Sequence, residues 1–225
     1  SRAARLPYTG KVRVSALSRP IMPDRDGHGP RPGLPIRNRP SASTHGGTKM
    51  LALINRSFEL FVRDCYGKAL WERLARQAKV DPRGFFLLQH SSEAVTKVMI
   101  SEASRILRKS ADELLEDLGG WLTRREPIRR LLRFGGRDYP EFIESFSEFP
   151  GRAVMVIDSL EAPKLRVTAY SMSLYEVEVE SDSDIWVVLL AGVLRGMADD
   201  YGALVVIAIE GHVLRIDIAL SEYGV

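Results

Sequence analysis

Hydrophobic residues in the first half of the folded region recur every three or four positions, which is the spacing of an amphipathic helix. From Leu51 to Ala78 this pattern predicts one or two helices. The apolar face of that segment consists of Ile54, Phe58, Phe61, Val62, Cys65, Leu70, Trp71 and Leu74. A further helix is predicted from Ser91 or Ser92 to about Lys109.

Helix-starting and helix-ending residues divide the next part of the chain. Ser110 and Glu113 have the spacing of a capping box, so a helix should start there, and Gly119-Gly120 is expected to end it. Pro127 and Pro140 each open a further helix, because proline fits the first helical turn.

After Pro150 the hydrophobic period changes from 3.6 to 2, which is the period of a β-strand. Strands are predicted at about Lys164–Tyr170 and Leu174–Glu180. A helix from about Ile185 to Asp199 and a hairpin around Glu210-Gly211 follow.

These elements predict an α+β fold, with residues 50–150 forming a helical part and residues 151–225 a β-β-α-β-β antiparallel-sheet part. Gly192 and Gly196 lie four residues apart on the helix of the second part. They are expected to allow that helix to pack closely against the sheet.

The first 49 residues differ from the rest in composition. They hold seven of the twelve prolines, and ten Lys/Arg against two Asp/Glu. We expect a disordered basic arm, since such a segment buries too little apolar surface to offset its chain entropy. It could be a passive tail, sequence upstream of a true start at Met50, or an electrostatic arm for anionic partners.

The net charge of +3 comes from this arm, because residues 50–225 carry 22 Lys/Arg against 27 Asp/Glu. Basicity therefore gives no reason to expect nucleic-acid binding by the folded domain. The longest apolar run, Ile185 to Leu194, is too short to span a membrane. A single cysteine excludes an internal disulfide and suits a reducing compartment, so a cytoplasmic location is expected. No nucleophile-elbow, P-loop or dinucleotide motif is found, which argues against an enzyme.

Several strings resemble the haem–nitric oxide/oxygen-binding (H-NOX, or HNOB) family across residues 50–225. They are MLALINRSFELFVRDCYG from Met50, RRLLRFGGRDYPEFIESFSEFP ending at Pro150, the single Pro163, and MADDYGALVV from Met197. The resemblance implies a non-catalytic sensor domain that carries haem. Its partner would be a signalling protein such as a kinase or a cyclic-nucleotide enzyme.

The residues that hold haem in that family do not carry over. Aligned on the FGGR string and on Pro163, the position of the family's axial histidine is Pro150, and proline has no nitrogen lone pair for iron. The family's Tyr-x-Ser-x-Arg clamp for the haem propionates aligns with Glu180, Asp182 and Asp184. Acidic residues at these positions would repel the propionates. With an effective dielectric of 20, each contact between two carboxylates at about 4 Å costs about 4 kcal/mol.

The resemblance also implies where the pocket lies. Its expected residues are Ile54, Phe58, Phe142, Phe146, Phe149, Pro150 and Pro163. Phe142, Phe146 and Phe149 have helical spacing, so they either line this pocket or fill it. An open apolar pocket would suit another small molecule.

The resulting hypothesis is a sensory or regulatory domain without stable haem and with no metal site, acting as a signalling interaction or small-ligand module. The alternative is a haem-based gas sensor with an unusual ligand, chosen among His90, Cys65, Tyr170 and Tyr175. Each also has a simpler interpretation: His90 as a surface residue, Cys65 as a small buried hydrophobe, and the tyrosines as packing residues.

Two charged runs are open to a structural or a functional interpretation. Glu176, Glu178 and Glu180 alternate along one strand face, which is typical of a solvated surface. A basic run on the predicted short helix could dock an acidic partner or simply face solvent; it consists of Arg124, Arg125, Arg129, Arg130 and Arg133.

Overall fold

The computed structural model describes residues 46–85, 93–156 and 162–221, all within one compact unit. The helices are α1 (Gly46–Tyr66), α2 (Lys68–Gln77), α3 (Glu93–Leu107), α4 (Ala111–Thr123), α5 (Glu126–Arg133), α6 (Tyr139–Glu144), α7 (Phe149–Val156) and α8 (Ile185–Tyr201). A 3-10 turn, Ser145–Glu148, joins α6 to α7. The strands are β1 (Lys164–Ala169), β2 (Leu174–Glu180), β3 (Ala203–Glu210) and β4 (Val213–Ser221).

This order of elements confirms the predicted α+β fold. The strands form one antiparallel sheet in the order β1-β2-β4-β3. Along β2, Tyr175, Val177 and Val179 are buried, and the glutamates between them face the other side. The predicted bounds of β2 are confirmed, and β1 ends one residue before the predicted Tyr170.

Most of the residues that were expected to begin or end a helix or a strand do so in the structure. The Ser110 hydroxyl accepts from the Glu113 N–H, and the Glu113 carboxylate accepts from the Ser110 N–H, which is a complete capping box. Gly202 ends α8 in the left-handed conformation at φ 68°, and Gly211 turns the last hairpin at φ 61°. Helix α1 begins at Gly46, inside the segment that was expected to be a disordered arm.

The prediction that Gly119-Gly120 ends a helix is wrong, because α4 continues through both glycines to Thr123. They lie where α4 crosses α8. A Cβ built on Gly119 would stand 2.2 Å from the Leu189 carbonyl oxygen, and one on Gly192 would stand 2.1 Å from that of Glu116. The close packing expected of Gly192 and Gly196 is therefore between helices and not between helix and sheet.

The prediction that the helical part ends at Pro150 is also wrong. Phe142 lies on α6, Phe146 on the 3-10 turn and Phe149 at the start of α7, which runs on to Val156. Pro150 occupies the first turn of α7. Backbone N–H groups in a first turn have no acceptor within the helix, so proline, which lacks this group, is tolerated there.

Two buried clusters meet on α8. One lies between the sheet and α6 and includes Phe142, Phe146, Leu190 and Leu194. The other joins α1, α2, α3 and α4 to the start of α8. Trp186 is half-buried and packs against both. Almost every residue of α8 from Ile185 to Leu194 is buried, as its continuous apolar sequence requires.

Candidate functional site

A cavity of about 140 Å³ lies where the two clusters meet. Helices α1 and α4 contribute Leu53, Ile54, Ser57, Leu118 and Leu122 to its wall. Helices α5 and α7 contribute Ile128, Leu131, Leu132, Phe149 and Ala153. The remaining wall consists of Trp186, Leu189, Leu190 and Val193 of α8, together with Ala162 before β1.

The described part of the wall is almost entirely apolar. Its polar side-chain groups are the Ser57 hydroxyl and the Trp186 indole N–H. Among the described residues that form it there is no histidine, cysteine, methionine, tyrosine or charged side chain. Such a surface can hold an apolar molecule by contact, but it offers no ion pair and very few hydrogen bonds.

Two of the expected pocket residues, Ile54 and Phe149, line this cavity. Phe58, Phe142 and Phe146 do not, because they are fully buried in the clusters on either side. The ring of Phe142 lies 5.6 Å from that of Tyr201, and Phe146 stacks on Phe149 at 5.4 Å. The phenylalanine stripe is therefore divided: two rings fill the core and one faces the cavity.

Helix α7 presents Phe149 and Ala153 to the cavity. These residues are four apart and so lie on the same face. Pro150 follows Phe149 and is half-buried, but it is not part of the wall. Pro163 is also half-buried, just before β1, and does not line the cavity either.

The three carboxylates that the sequence resemblance places at the propionate clamp lie outside the cavity. Glu180 pairs with Arg166 at 2.9 Å on the exposed face of the sheet. Asp182 is exposed, and Asp184 lies 3.5 Å from the His212 imidazole. None of the three contributes to the cavity wall.

The acidic strand face is solvated and paired within the sheet. Arg166 also bonds Glu178 at 2.6 Å, and Glu176 accepts from the Tyr170 hydroxyl at 2.7 Å. Among the described residues, no group of three or more His, Cys, Asp or Glu side chains is arranged to hold a metal ion.

Of the four candidate alternative iron ligands, the three that the structure describes do not line the cavity. His90 lies outside the described residues. Tyr170 is exposed, and the buried Tyr175 donates to the Met172 carbonyl oxygen at 3.3 Å. Neither lines the cavity, and neither does Cys65.

The expectation that Cys65 is buried is wrong, because its side chain is exposed. It lies one residue before the end of α1, where the apolar face of the helix gives way to a groove lined also by Glu116, Arg124 and Arg195. Partial burial and the neighbouring Asp64 carboxylate raise the pKa of the Cys65 thiol. A higher pKa lowers the fraction of thiolate, which is the form that binds metals.

The basic run is largely neutralised by carboxylates of the chain itself. Arg129 and Arg133 both pair with Asp200, at 2.6 and 3.4 Å. Arg125 pairs with Asp64, and Arg130 pairs with Glu126 at 2.7 Å. These contacts favour the structural interpretation over a docking site for an acidic partner.

Sequence reasoning did not identify the α8 side of the cavity, which includes Trp186, Leu189, Leu190 and Val193. A usable signal was present, since α8 is apolar on all sides and so must be buried between two layers. Within the part of the chain that the structure describes, no helix is both long enough and apolar enough to cross a membrane.

The model of the haem-NO-binding (HNOB) family matches residues 51–209. Solved structures with the same fold include an oxygen-binding H-NOX domain related to soluble guanylate cyclases, in its oxygen complex, at 16% identity and a TM-score of 0.58 over 78% of this chain and 98% of that one. A mutant H-NOX domain of T. tengcongensis gives 15% identity and a TM-score of 0.62 over 77% of this chain and all of that one. A Cs H-NOX mutant containing 4-cyano-L-phenylalanine gives 15% and 0.63 over 78% and all of it.

At these identities the solved structures establish a likeness of fold, and the family model supplies the membership. It covers more than two thirds of the residues, in the order of elements described above. This chain therefore belongs to the haem-NO-binding (H-NOX) family.

Proposed function

We propose that this chain is a non-catalytic sensory or regulatory domain of the haem-NO-binding family that works without a stably bound haem. The observation that carries the proposal is the chemistry of the cavity between the two clusters. Its wall, formed by described residues, offers neither an iron ligand nor a cation.

The iron of a haem needs an axial donor such as histidine, cysteine, methionine or tyrosine. None of these residue types is among the described residues that line the cavity. The sequence resemblance aligns Pro150 with the family's axial histidine. Pro150 lies in the first turn of α7, and its neighbour Phe149 faces the cavity. The residues present therefore do not fit the iron.

The rest of the haem fits no better. Pockets for drug-sized molecules span roughly 300–1,000 Å³, and this cavity holds about 140 Å³. Two propionates would also need cationic partners, whereas the residues aligned with the clamp are Glu180, Asp182 and Asp184, on the outside of the domain. A haem would have to displace Phe149 and the walls around it.

A signalling protein, such as a kinase or a cyclic-nucleotide enzyme, is proposed as the partner. The support for this part is an analogy with the haem-NO-binding family alone. In this reading the domain changes its shape in response to a ligand or contact, and the partner reads the change.

A spectroscopic titration of hemin into the full chain tests the absence of haem. We expect wild type to give no saturable one-to-one Soret shift. Pro150→His combined with Phe149→Ala adds an imidazole on α7 and removes a ring from the cavity wall. We expect that double variant to gain a saturable shift, whereas Phe149→Ala alone does not.

Tight one-to-one binding of hemin by wild type would contradict the proposal. In that event, alanine variants of His90, Cys65, Tyr170 and Tyr175 would identify the ligand. Loss of the Soret band in one of them would establish the gas-sensor alternative.

A further inference from the structure

The cavity at the meeting point of the two clusters is small, and five helices supply almost all of the residues that line it. Its volume of about 140 Å³ resembles that of engineered protein cavities of about 150 Å³, which are lined by Leu, Ile and Phe, stay empty of water and bind benzene or xenon. Size and wall chemistry together restrict what this cavity can hold.

The wall excludes most classes of ligand. A buried ion needs a partner charge, and a sugar, a peptide or a nucleotide needs many hydrogen bonds. The described wall supplies no charge, and its polar side-chain groups are only the Ser57 hydroxyl and the Trp186 indole N–H. A water molecule would also be held poorly, since buried waters usually make about three hydrogen bonds.

We infer that this cavity binds a small, uncharged and mainly apolar molecule of about six to eight non-hydrogen atoms, the size of benzene or a simple phenol. This rests on the proposed function, because a bound haem would occupy the same space. A ligand with one hydroxyl would form a hydrogen bond with the Ser57 hydroxyl. Its ring or chain would contact Leu118, Ala153 and Leu190.

The place of the cavity in the fold gives such a ligand an effect on the whole domain. Leu132 and Leu190 belong to the cluster under the sheet, and Ile54 and Leu118 belong to the helical cluster. A molecule in contact with all four adds packing between the two clusters. It therefore binds the folded state and not the unfolded chain, which raises the apparent thermal stability.

The test uses toluene and phenol as probes on the full chain. We expect saturable increases in Tm with both, and changes in the methyl NMR signals of Leu118, Ala153 and Leu190. Ala153→Leu adds three carbons to the wall of the cavity, so we expect it to weaken toluene binding at least tenfold. Ala94→Leu makes the same change on the exposed surface of α3 and should bind toluene as wild type does.

A second variant tests the role of the hydroxyl. Ser57→Ala should weaken phenol binding severalfold and leave toluene binding unchanged. Methyl shifts in wild type do not depend on whether any variant folds, so they provide an independent measurement.

The inference is overturned if neither probe shifts the wall methyl signals, or if Ala153→Leu binds toluene as tightly as wild type. Either result leaves the haem-free proposal standing, because the hemin titration decides that separately. A saturable hemin complex that toluene displaces would instead overturn the proposed function.

Discussion

Among single residues, Glu141 shows how one neighbour can change a pKa. Arg137 donates hydrogen bonds to its carboxylate from both the side chain and the backbone. The carboxylate accepts from the Arg137 guanidinium at 2.5 Å and from the Arg137 backbone N–H at 3.0 Å. These bonds lower the pKa of Glu141 from its ordinary value of 4.5 to about 2. The folded state therefore binds this proton more weakly than the unfolded chain does.

The lowered pKa of Glu141 determines how this carboxylate contributes to folding stability as the pH changes. A lowered pKa in the folded state gives a stabilisation that is present above about pH 4.5 and is lost as the pH falls towards 2. In Arg137→Ala we expect the pKa of Glu141 to rise towards 4.5, measured by NMR of the side-chain carboxyl carbon. Arg130→Ala, on another helix, is the control, and an unchanged titration in Arg137→Ala would contradict the assignment.

Glu59 shows why single residues can escape sequence reasoning. It lies on α1 next to the apolar stripe, yet only 1% of its surface is exposed. Its carboxylate pairs with Arg56 at 2.7 Å and Arg63 at 2.9 Å, and accepts from the Phe85 N–H at 2.8 Å. Helical spacing describes one element at a time, so a partner 26 positions away could not be predicted.

The crossing of α4 and α8 is the feature at element scale that depends most on residue size. Gly119 and Gly192 let the backbones approach so closely that a Cβ on either would overlap the opposite helix. The sequence pattern predicts that Gly119-Gly120 ends a helix, yet α4 runs through both residues. Gly-Gly weakens a helix by its own preference, but packing against α8 outweighs that preference here.

A pair of matched substitutions tests this crossing. Gly192→Ala would place a Cβ 2.1 Å from the Glu116 carbonyl oxygen, so we expect a loss of about 1–3 kcal/mol or more in the free energy of unfolding. Gly151→Ala on α7 meets nothing within 4 Å and should stabilise by up to about 1 kcal/mol. Equal effects of the two, measured by urea denaturation, would contradict the role assigned to Gly192.

At element scale the bounds of strands and caps were largely predictable, and the end of the helical part was not. The alternation in β2 and the Ser110–Glu113 capping box are local patterns, and both were confirmed. The sequence predicts that the helical part ends at residue 150, yet Pro150 lies in the first turn of α7, because proline suits a first turn as well as a boundary. Local sequence alone does not choose between the two.

For the whole molecule, the sharing of α8 by the two clusters predicts that they unfold together. Trp71 and Trp121 lie in the helical cluster, so tryptophan fluorescence mainly reports that half. Leu214→Ala removes a fully buried side chain from the sheet cluster and should cost about 2–5 kcal/mol.

We expect this substitution to lower the urea midpoint seen by fluorescence as much as the midpoint seen by sheet methyl NMR. An exposed site on the same strand provides the control: Arg215→Ala should change both midpoints little. Two separate transitions in Leu214→Ala would show that the clusters are independent units.

The fold of the whole domain was accessible from sequence because the helix-to-strand change after residue 150 and the family strings agree on one architecture. The cavity was accessible only in part. Ile54 and Phe149 were expected there. The rest of the wall forms only where five helices converge, and the spacing of hydrophobic residues along one helix does not indicate its distance from the others. Whether an aromatic ring such as Phe146 fills a pocket or lines it is decided by that convergence.

The exposed position of Cys65 has a practical consequence for following this domain in solution. It is the only cysteine of the chain, so one fluorophore or spin label can be attached without engineering. Its raised pKa means that a maleimide will couple faster in mildly alkaline buffer. The label would stand in the groove beside Gly192 and Arg195, at the crossing of α4 and α8. A change in the emission of the fluorophore, or in a distance measured from the spin label, would thus report any movement of α8 that a molecule in the cavity produces.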